Sequence, residues 1–403
     1  MKPLKGVDMV PSYYEFYNSV KIISGLEALD SLPSELLRLG VKQPIIITDK
    51  GVVNAGLIDI VKASFSNGDG AAIGAVYDDT PVDSSIHAVN EIATIYRDKG
   101  CDGIIAVGGG SAIDTAKGVN IVLSEDADDL LKFTGNNRVR ATMKPFVVIP
   151  TTGGTGSEVT MAAVIANPDM NVKMQFVTPL MLPDFAVLDP RMTKTMPPHI
   201  TAATGMDALT HVVEALMSLQ RNPISDVFAF SAIEMIMANL PDAVREGENP
   251  ESRLAMSNAA LLAGVAFSNA MVGVVHAVAH ALGGVCHVPH GMANSIILPF
   301  GMEYNLSKVG DALADMLLPL AGPEVYAKTS AKDRAMKSVE AIRALGRELN
   351  ELCGLPLTLK EARVPEDKLE EVAWVAVNDG AANFNPIQIE YEDALAILRK
   401  AYQ

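Results

Sequence analysis

Histidines are concentrated in one short stretch of this 403-residue chain. There are seven in all, and four of them, His276, His280, His287 and His290, fall within the seventeen residues VHAVAHALGGVCHVPHG at 275–291. Imidazole nitrogens bind transition metals and exchange protons near neutral pH. A single buried histidine is usually a packed core residue, but four in an otherwise apolar stretch this short favour metal binding.

A fifth histidine lies upstream of this stretch. His211 follows Asp207 at a spacing of four in the segment GMDALTH. Side chains four residues apart lie on one face of a helix, so both point in the same direction. His290 follows a predicted helix break at Gly283-Gly284 and a Val-Pro, where a loop can bring the chain back towards the same point.

The chemistry of these side chains points to a metal. One carboxylate oxygen with three imidazole nitrogens suits Zn²⁺ or Fe²⁺ and suits Ca²⁺ or Mg²⁺ poorly. With His211 supplying one imidazole, the stretch contains two histidines more than this pattern needs, and His280 and His287 are the candidates for other roles. We predict one divalent-metal site with four ligands: Asp207, His211, His276 and His290.

Two glycine-rich segments follow predicted strands in the first half of the chain. Gly108-Gly109-Gly110-Ser111 lies between a predicted strand at 103–107 and a predicted helix at 112–123, and TTGGTGS at 151–157 follows a second apolar run. Adjacent glycines let a ligand approach backbone N–H groups, and the helix start adds partial positive charge. The alternative is a tight strand-to-helix turn. Together the segments predict a dinucleotide across two strand ends, although their spacing is not that of the standard Rossmann fingerprint.

Asp49 ends the first clear apolar run, Pro44 to Thr48. A carboxylate at the end of a strand can accept hydrogen bonds from a ribose diol and repel a 2′-phosphate, which favours NAD over NADP. Asp49 taken alone is better explained as a helix N-cap or a turn residue.

The elements that must position these residues divide the chain in two. Continuous apolar runs such as 44–48 are typical of strands covered on both faces of a parallel sheet, and residues 85–98 repeat at helical spacing. After Pro197-Pro198 long helical patterns replace the apolar runs. We predict an α/β dinucleotide-binding domain with a mostly parallel, Rossmann-like sheet over 1–196, followed by an all-helical domain over 197–403.

Composition limits the partners and the compartment. The formal charge of −16, from 32 basic and 48 acidic residues, argues against nucleic acid and against anionic membranes. Three widely separated cysteines and the absence of a signal-peptide pattern in the first 20 residues indicate a cytoplasmic protein. The apolar stretch at 259–285 is interrupted by Ser268, Asn269 and two histidines, so we predict buried helices there and no membrane span.

These motifs together resemble the iron-containing (group III) alcohol dehydrogenase family. The resemblance runs from the first strand to NFNP at 383–386, and the two metal-bearing motifs are long and specific. The matching segments are TDKGV at 48–52, GGGSAIDTAK at 108–117, PTTGGTGSE at 150–158, TAATGMDALTHVVEA at 201–215 and GVVHAVAHALGGVCHVPHGMANSIILP at 273–299.

The resemblance implies a dehydroquinate synthase-like architecture, with the active site in the cleft between an α/β domain and a helical metal domain. It implies the same four metal ligands, and Fe²⁺ or in some members Zn²⁺ as the ion. His280 matches a histidine near the nicotinamide that is proposed to relay a proton, whereas His287 matches no known function of the family.

The resemblance also implies contacts to NAD and to the substrate. Ala162 and Ala381 stand where members acting on small polar diols have asparagine and cysteine, and Phe267 is retained as a pocket wall; these differences favour a plain or longer primary alcohol. The implied cofactor residues are Asp49 at the adenosine ribose, Gly109, Gly110 and Ser111 at the pyrophosphate, Thr151, Thr152 and Thr155 nearby, and Lys173 at the nicotinamide ribose, where a solvated surface lysine is the alternative.

We therefore expect an NAD-dependent, metal-dependent oxidoreductase that interconverts primary alcohols and aldehydes. The alternatives are a glycerol or diol dehydrogenase of the same superfamily, or a metal- or nucleotide-binding protein without catalysis. The resemblance further implies a homo-oligomer, a dimer or larger, with a small-molecule substrate and no macromolecular partner of another kind.

Overall fold

The computed structural model describes residues 11–67, 70–170 and 172–403. Backbone proximity divides the chain into two compact units. We call residues 18–197 with 246–264 the α/β unit. We call residues 198–245 and 265–403, with the described N-terminal residues 11–17, the helical unit. Residues 246–264 belong to the α/β unit, although they follow the predicted domain boundary between 196 and 197 in the sequence. The boundary itself stays a prediction. The first 20 residues, which lack a signal-peptide pattern, lie partly outside the described residues.

A six-stranded sheet forms the centre of the α/β unit. Its order is β1-β9-β6-β4-β2-β3, and every neighbouring pair is parallel, which confirms the predicted parallel sheet. The six strands are β1 (Lys21–Ser24), β2 (Pro44–Ile47), β3 (Ala75–Tyr77), β4 (Gly103–Gly108), β6 (Phe146–Pro150) and β9 (Phe185–Leu188).

Alternating side chains of these strands pack into two cores. In β2, Ile45 and Ile47 belong to one buried cluster and Ile46 to the other, as the period of two in a strand requires. Five helices accompany the sheet, with residues of α4 and α5 in the first cluster and of α1 and α3 in the second. The helices are α1 (Leu32–Arg38), α2 (Lys50–Asn54), α3 (Leu57–Ser64), α4 (Ile86–Lys99) and α5 (Gly110–Ser124).

A second, three-stranded sheet in the α/β unit was not predicted from the sequence. It consists of β5 (Gly135–Asn136), β7 (Ala162–Asn167) and β8 (Val172–Val177), in the order β5-β8-β7. Strands β7 and β8 are antiparallel. Two predicted site residues lie on it, Ala162 at the start of β7 and Lys173 in β8.

From residue 198 onward the described chain contains helices and no strands, as predicted. The prediction of a break at Gly283-Gly284 was wrong, because both glycines lie inside α9, which ends at Cys286. The α-helices are α6 (Pro198–Met217), α7 (Pro223–Arg245), α8 (Pro250–Ala270), α9 (Val274–Cys286), α10 (His290–Lys328), α11 (Arg334–Cys353), α12 (Leu369–Ala376) and α13 (Tyr391–Tyr402).

Some helices of the second half are apolar enough to be compared with membrane-spanning helices. Within the described ranges, α7 is long and apolar enough to cross a membrane, a property that it shares with core helices of other folds. Helices α8 and α9 pass the same test only as a pair, and they are bent by 104° at the break between them. The apolar stretch at 259–285 is therefore two helices at a sharp angle and not one straight span.

Gly264 of α8 lies against the loop that follows β6. A Cβ atom added to Gly264 would be 2.6 Å from the carbonyl oxygen of Gly156, and one added to Gly156 would be 2.6 Å from the Cα of Gly264. Gly156 also has a φ of +59°, which disfavours other residues. The two backbones approach so closely that neither position has room for a side chain.

We expect Gly264→Ala to destabilise the protein, although alanine is the better helix former by about 1 kcal/mol. Overpacking against a backbone carbonyl costs about 1–3 kcal/mol, so the clash outweighs helix propensity. Gly284→Ala is the matched control, because a Cβ there meets no atom within 4 Å. Thermal unfolding of both variants checks this; equal melting temperatures would contradict the close approach.

Candidate functional site

Three predicted metal ligands converge in the helical unit. Asp207 lies on α6, His276 on α9, and His290 is the first residue of α10. One ligand atom from each lies within 4.8 Å of the other two. Asp207 Oδ1 is 3.8 Å from His276 Nε2 and 3.5 Å from His290 Nε2. Residues separated by up to 83 positions thus form one donor set.

These distances and charges suit a transition-metal cation. Tetrahedral ligands bound at about 2.1 Å lie about 3.4 Å apart, close to the two distances from Asp207 Oδ1. Burial lowers the pKa of His276 well below the usual histidine range, and His211, His290 and His280 add to this effect. A neutral imidazole has the lone pair that a metal needs. The donor set therefore fits Zn²⁺ or Fe²⁺ in geometry, and His276 is in the protonation state that a metal ligand needs.

His211 lies beside this group, one helical turn after Asp207. Its ring stacks on His276 with centroids 4.6 Å apart and on Phe267 with centroids 4.0 Å apart. The structure thus brings His211 next to the three converging ligands, and its role as the fourth ligand stays a prediction. Phe267, predicted as a pocket wall, is half-buried against this histidine.

Glu214 was missed by the sequence analysis, yet it orients a ligand. His276 Nδ1 donates a hydrogen bond to Glu214 Oε2 at 2.6 Å, and the N–H groups of Val275 and His276 donate to the same carboxyl group. A proton on Nδ1 leaves Nε2 of neutral His276 as the lone-pair donor. Burial raises the pKa of Glu214 to about 7, against the effect of the backbone N–H donors. Its spacing of seven from Asp207 on an apolar helix was a usable signal.

Asn294 is a second residue that the sequence analysis missed. Its amide nitrogen donates to Asp207 Oδ1 at 2.6 Å and lies 3.2 Å from His276 Nε2 and 3.1 Å from His290 Nε2. It follows His290 by four residues on α10, so the helix brings both to the same point. A neutral amide is not among the residue types that signal a transition-metal site, so the sequence pattern did not indicate it. The amide holds the carboxylate oxygen in place among the ligands.

The two remaining histidines of the cluster have separate surroundings. His280 Nδ1 lies 3.0 Å from Asp379 Oδ2, and the His280 ring stacks on His290 with centroids 5.3 Å apart. His287 is exposed and has a φ of +56°, where it caps the C-terminus of α9. His280 therefore stays next to the metal ligands, whereas His287 terminates a helix.

Asp379 also supports a predicted pocket residue. Its Oδ1 accepts a hydrogen bond from the N–H of Ala381 at 2.8 Å and caps the short 3₁₀ helix Gly380–Phe384. Ala381 is buried, which is compatible with its predicted place in the lining of a pocket. One carboxylate thus contacts both the predicted proton-relay histidine and the segment that carries Ala381.

In the α/β unit, the two glycine-rich segments lie against each other. A Cβ added to Gly109 would be 3.3 Å from the Thr152 side chain, and one added to Gly110 would be 3.3 Å from Thr155. Among the described residues, the buried Thr152 Oγ1 has no hydrogen-bond partner. Bare backbone N–H groups at the start of α5, beside an available hydroxyl, form a cradle that fits a pyrophosphate.

The position of Asp49 is compatible with both predicted roles, the helix N-cap and the ribose contact. Its Oδ1 accepts from the N–H of Val52 at 3.0 Å, which makes it the N-cap of α2. Its Oδ2 would lie 3.5 Å from a Cβ added to Gly108. The carboxylate therefore lies at the carboxyl ends of β2 and β4, where a ligand of a parallel sheet binds.

The other predicted cofactor residues differ in the contacts that they make within the protein. The Ser111 hydroxyl donates to the carbonyl of Val82, and Thr151 donates its N–H to the carbonyl of Gly108 at 3.0 Å. Lys173 forms an ion pair with Asp83 at 3.0 Å, and both side chains are mostly exposed. The structure thus supports the surface-lysine alternative for Lys173 as well, and its contact with a ribose stays a prediction.

Two family models match the chain. The one described as iron-containing alcohol dehydrogenase matches residues 19–190, and the one described as the C-terminal part of the Fe-containing alcohol dehydrogenase family matches residues 201–402. Together they cover both units of the structure.

Relatives and solved structures agree with these matches. The chain is 37% identical over 356 residues to long-chain-alcohol dehydrogenase 1 of Geobacillus thermodenitrificans, covering 88% of the chain and 87% of the relative. It is 34% identical over 380 residues to the NAD-dependent methanol dehydrogenase of Bacillus methanolicus, covering 94% and 97%. A crystal structure of 1,3-propanediol oxidoreductase superimposes with a TM-score of 0.92 at 34% identity, covering 97% and 100%.

We expect Glu214→Gln to weaken metal binding about 10- to 100-fold, because glutamine removes the charge that makes His276 a better donor. Chelator competition with Zn²⁺ measures the affinity. Asp379→Asn is the matched control, since it alters the same kind of pair on His280, which is not a predicted ligand. Wild-type affinity in Glu214→Gln, or equal losses in both variants, would contradict the role of Glu214.

The fully buried Glu158, which directly follows the second glycine-rich segment, makes stability depend on pH. Burial raises its pKa to about 7, against the effect of Lys117. A raised carboxyl pKa contributes stability that is present below the unfolded value near 4.5 and is lost as pH rises through about 7.

We expect wild type to lose about 2 kcal/mol of unfolding free energy relative to Glu158→Gln between about pH 5.5 and 8. Denaturant titrations at both pH values check this, with the exposed Glu370→Gln as control. A constant difference between wild type and Glu158→Gln would show that Glu158 does not titrate in this range.

Proposed function

The chain belongs to the iron-containing alcohol dehydrogenase family, and on that premise we propose that it interconverts primary alcohols and aldehydes with NAD and a divalent metal. The observation that carries the proposal is the convergence of Asp207, His276 and His290 on one point, with His276 held neutral by burial. Family membership makes the chain an oxidoreductase; the cofactor, the metal and the substrate are the proposed part.

The proposed reaction assigns separate tasks to the two units. Asp207, His276, His290 and the predicted ligand His211 would hold a cation, which would supply Lewis-acid catalysis, and bound NAD would supply the hydride acceptor. The cradle of Gly109, Gly110, Ser111, Thr151, Thr152 and Thr155, with Asp49 and Lys173, would hold the dinucleotide. Fe²⁺ is the proposed ion because of the family, with Zn²⁺ as the alternative.

His280 would move the proton in this scheme. Asp379 engages Nδ1 of its ring, so Nε2 of the neutral imidazole is the nitrogen that can accept a proton. The His280 side chain is 42% exposed, which gives a released proton a path to solvent. The ring stacks on His290, so it lies beside the residues that would hold the cation.

The proposed substrate is a plain primary alcohol. Ala162 and Ala381 present methyl groups, and Phe267 presents an aromatic ring, so the predicted pocket residues favour apolar over polar substrates. A second candidate, oxidation of a diol, is favoured by the similarity to the 1,3-propanediol oxidoreductase structure. We also propose a cytoplasmic homo-oligomer, because exposed apolar side chains such as Val227 and Trp374 are the kind that subunit interfaces cover.

An alcohol and aldehyde panel followed by NADH absorbance tests the proposal. The enzyme is loaded anaerobically with Fe²⁺ or Zn²⁺ and its metal content is measured. We expect NAD reduction with primary alcohols and less with glycerol or diols. A preference for diols would establish the second candidate, and NADH binding without any turnover would establish a non-catalytic binding protein.

Two histidine variants separate metal binding from proton transfer. We expect His276→Ala to lose metal and activity together, since it removes a ligand. We expect His280→Ala to retain metal and to lower kcat by about 10²- to 10⁴-fold, the usual contribution of a general base. Metal analysis and steady-state kinetics measure both effects. Full turnover in either variant would refute the corresponding role.

A further inference from the structure

The motif NFNP at 383–386 has no part in the proposed chemistry. Its residue Asn385 is buried, and the carboxamide makes four hydrogen bonds. Nδ2 donates to Asn305 Oδ1 at 2.8 Å and to the carbonyl oxygen of Ile387 at 2.7 Å. Oδ1 accepts from Asn305 Nδ2 at 2.8 Å and from the N–H of Val274 at 3.2 Å. An amide whose donors and acceptor are all engaged is held in one orientation.

The contact with Val274 completes the N-terminus of α9. The first N–H groups of a helix have no partner within the helix, and Gly273, the N-cap of α9, has no side chain that could accept from them. Asn385 accepts from Val274, and Glu214 accepts from the next two residues. Two side chains from other parts of the sequence therefore cap the helix that carries a predicted metal ligand.

Gly273 shows how closely these two caps approach α9. A Cβ added there would lie 2.8 Å from Asn385 Oδ1 and 3.2 Å from Glu214 Oε1. A carbon atom so close to an oxygen is a steric clash, and packed interiors relieve such clashes only by displacing the neighbours. The start of α9 and both acceptors are thus already at contact distance.

Asn385 lies at one end of a short segment, and Asp379 lies at the other. Between them is the 3₁₀ helix Gly380–Phe384, which carries the predicted pocket residue Ala381. Asp379 Oδ2 lies 3.0 Å from His280 Nδ1, so both ends of the segment contact α9. The attachment through Asn385 is six residues earlier on α9, which is about 9 Å along the helix axis. The segment is therefore fastened along α9 at two points.

Asn305 connects the same segment with α10. It is fully buried, and it lies on the helix that begins at the predicted ligand His290. Asn305 and Asn385 exchange two hydrogen bonds, so each carboxamide limits the rotation of the other. Asn385 thus contacts both of the helices, α9 and α10, that carry predicted metal ligands in this part of the chain.

We propose that Asn385 is a positioning residue of the substrate pocket, which sets the distance between the Ala381 segment and the metal-binding ends of α9 and α10. Ala381 would form a wall of the pocket, so this distance determines how much room the chain of a primary alcohol has. The inference rests on the proposed function. It deepens that function by naming the group that places one wall of the pocket.

Asn385→Ala tests the proposal in the full-length, metal-loaded enzyme. We expect the KM for the preferred primary alcohol to rise about 10-fold, because several buried hydrogen bonds that place the segment are lost. We expect kcat to fall less than about three-fold. Metal content and the KM for NAD should stay at wild-type levels, because Glu214 still holds His276.

Hydrogen exchange measures the anchoring without turnover. We expect the amides of 380–384 to exchange at least about 10-fold faster in Asn385→Ala, since local opening of the segment becomes easier. The amides of 278–286 should keep their protection, because their partners lie within α9. Faster exchange over 380–384 with a wild-type KM for the alcohol would show an anchor that does not affect the pocket, and would overturn the proposal.

Asn350→Ala is the matched control for the loss of an asparagine in the same unit. Asn350 lies on α11, and its amide holds a different segment through the carbonyl oxygen of Leu355 at 2.9 Å. We expect this variant to lower the melting temperature and to leave the KM for the alcohol unchanged. Kinetics are measured well below the melting temperature of each variant. An equal rise in KM in Asn350→Ala and Asn385→Ala would show general loosening and would overturn the proposal.

Asn305→Ala keeps the proposal testable if Asn385→Ala does not fold. It leaves Asn385 with two of its four hydrogen bonds, and we expect the KM for the alcohol to rise about two- to five-fold. A wild-type KM in Asn305→Ala, where Asn385→Ala is insoluble, would refute the positioning role. Absence of turnover by wild type with every alcohol would refute the proposed function instead, so the two failures are distinguishable.

Discussion

The buried hydrogen bond between Glu214 and His276 is the interaction on which the metal centre depends. It joins α6 to the start of α9, because the same carboxyl group also accepts from two backbone N–H groups there. Burying a carboxylate is costly unless its oxygens are satisfied, so this geometry has few alternatives. With Nδ1 committed to Glu214, the Nε2 lone pair of His276 points towards Asp207 and His290. The site is thereby organised by a residue that need not touch the ion.

The charge of this centre follows from the same arrangement. Neutral imidazoles add lone pairs without charge, whereas Asp207 and Glu214 in their ionised forms add two negative charges. A divalent cation neutralises these charges at the point where the ligand atoms converge. Asn294 extends the pattern, because its amide holds the carboxylate oxygen in place with a neutral donor. The atoms that would accept a cation and the neutral donor that contacts them thus lie side by side.

The predicted ligand of the α/β unit is a phosphate, an anion, whereas that of the helical unit is a cation. Glycine loops can approach a phosphate because they lack side chains, but for the same reason they cannot hold their own conformation. Here the support comes from outside the loop, through the backbone contact of Gly156 with Gly264 and the contacts of Lys117. In both units buried ionisable groups hydrogen-bond to segments expected to contact ligands, Glu214 in one and Lys117 with Asp114 in the other.

Local patterns in the sequence were enough for the architecture and for the types of ligand. The apolar runs of β2, β4 and β6 predicted the parallel sheet, and the spacing of Asp207, His211 and the histidine stretch predicted a metal site. These features depend on periods of two and of about four residues, which neighbouring side chains determine. The break predicted at Gly283-Gly284 failed because glycine weakens a helix by only about 1 kcal/mol, which tertiary packing can offset.

The sequence by itself determined which residue types were available and on which helical face each lies. Only the tertiary structure decided how those faces meet: that Glu214 lies under His276, that Asn294 reaches Asp207, that His287 caps a helix, and that Lys117 holds the loop at 157–162. The physical reason is that these contacts join residues from 40 to 87 positions apart, or depend on one backbone conformation. Local periodicity carries no information on such pairings, because it describes only how one segment presents its side chains.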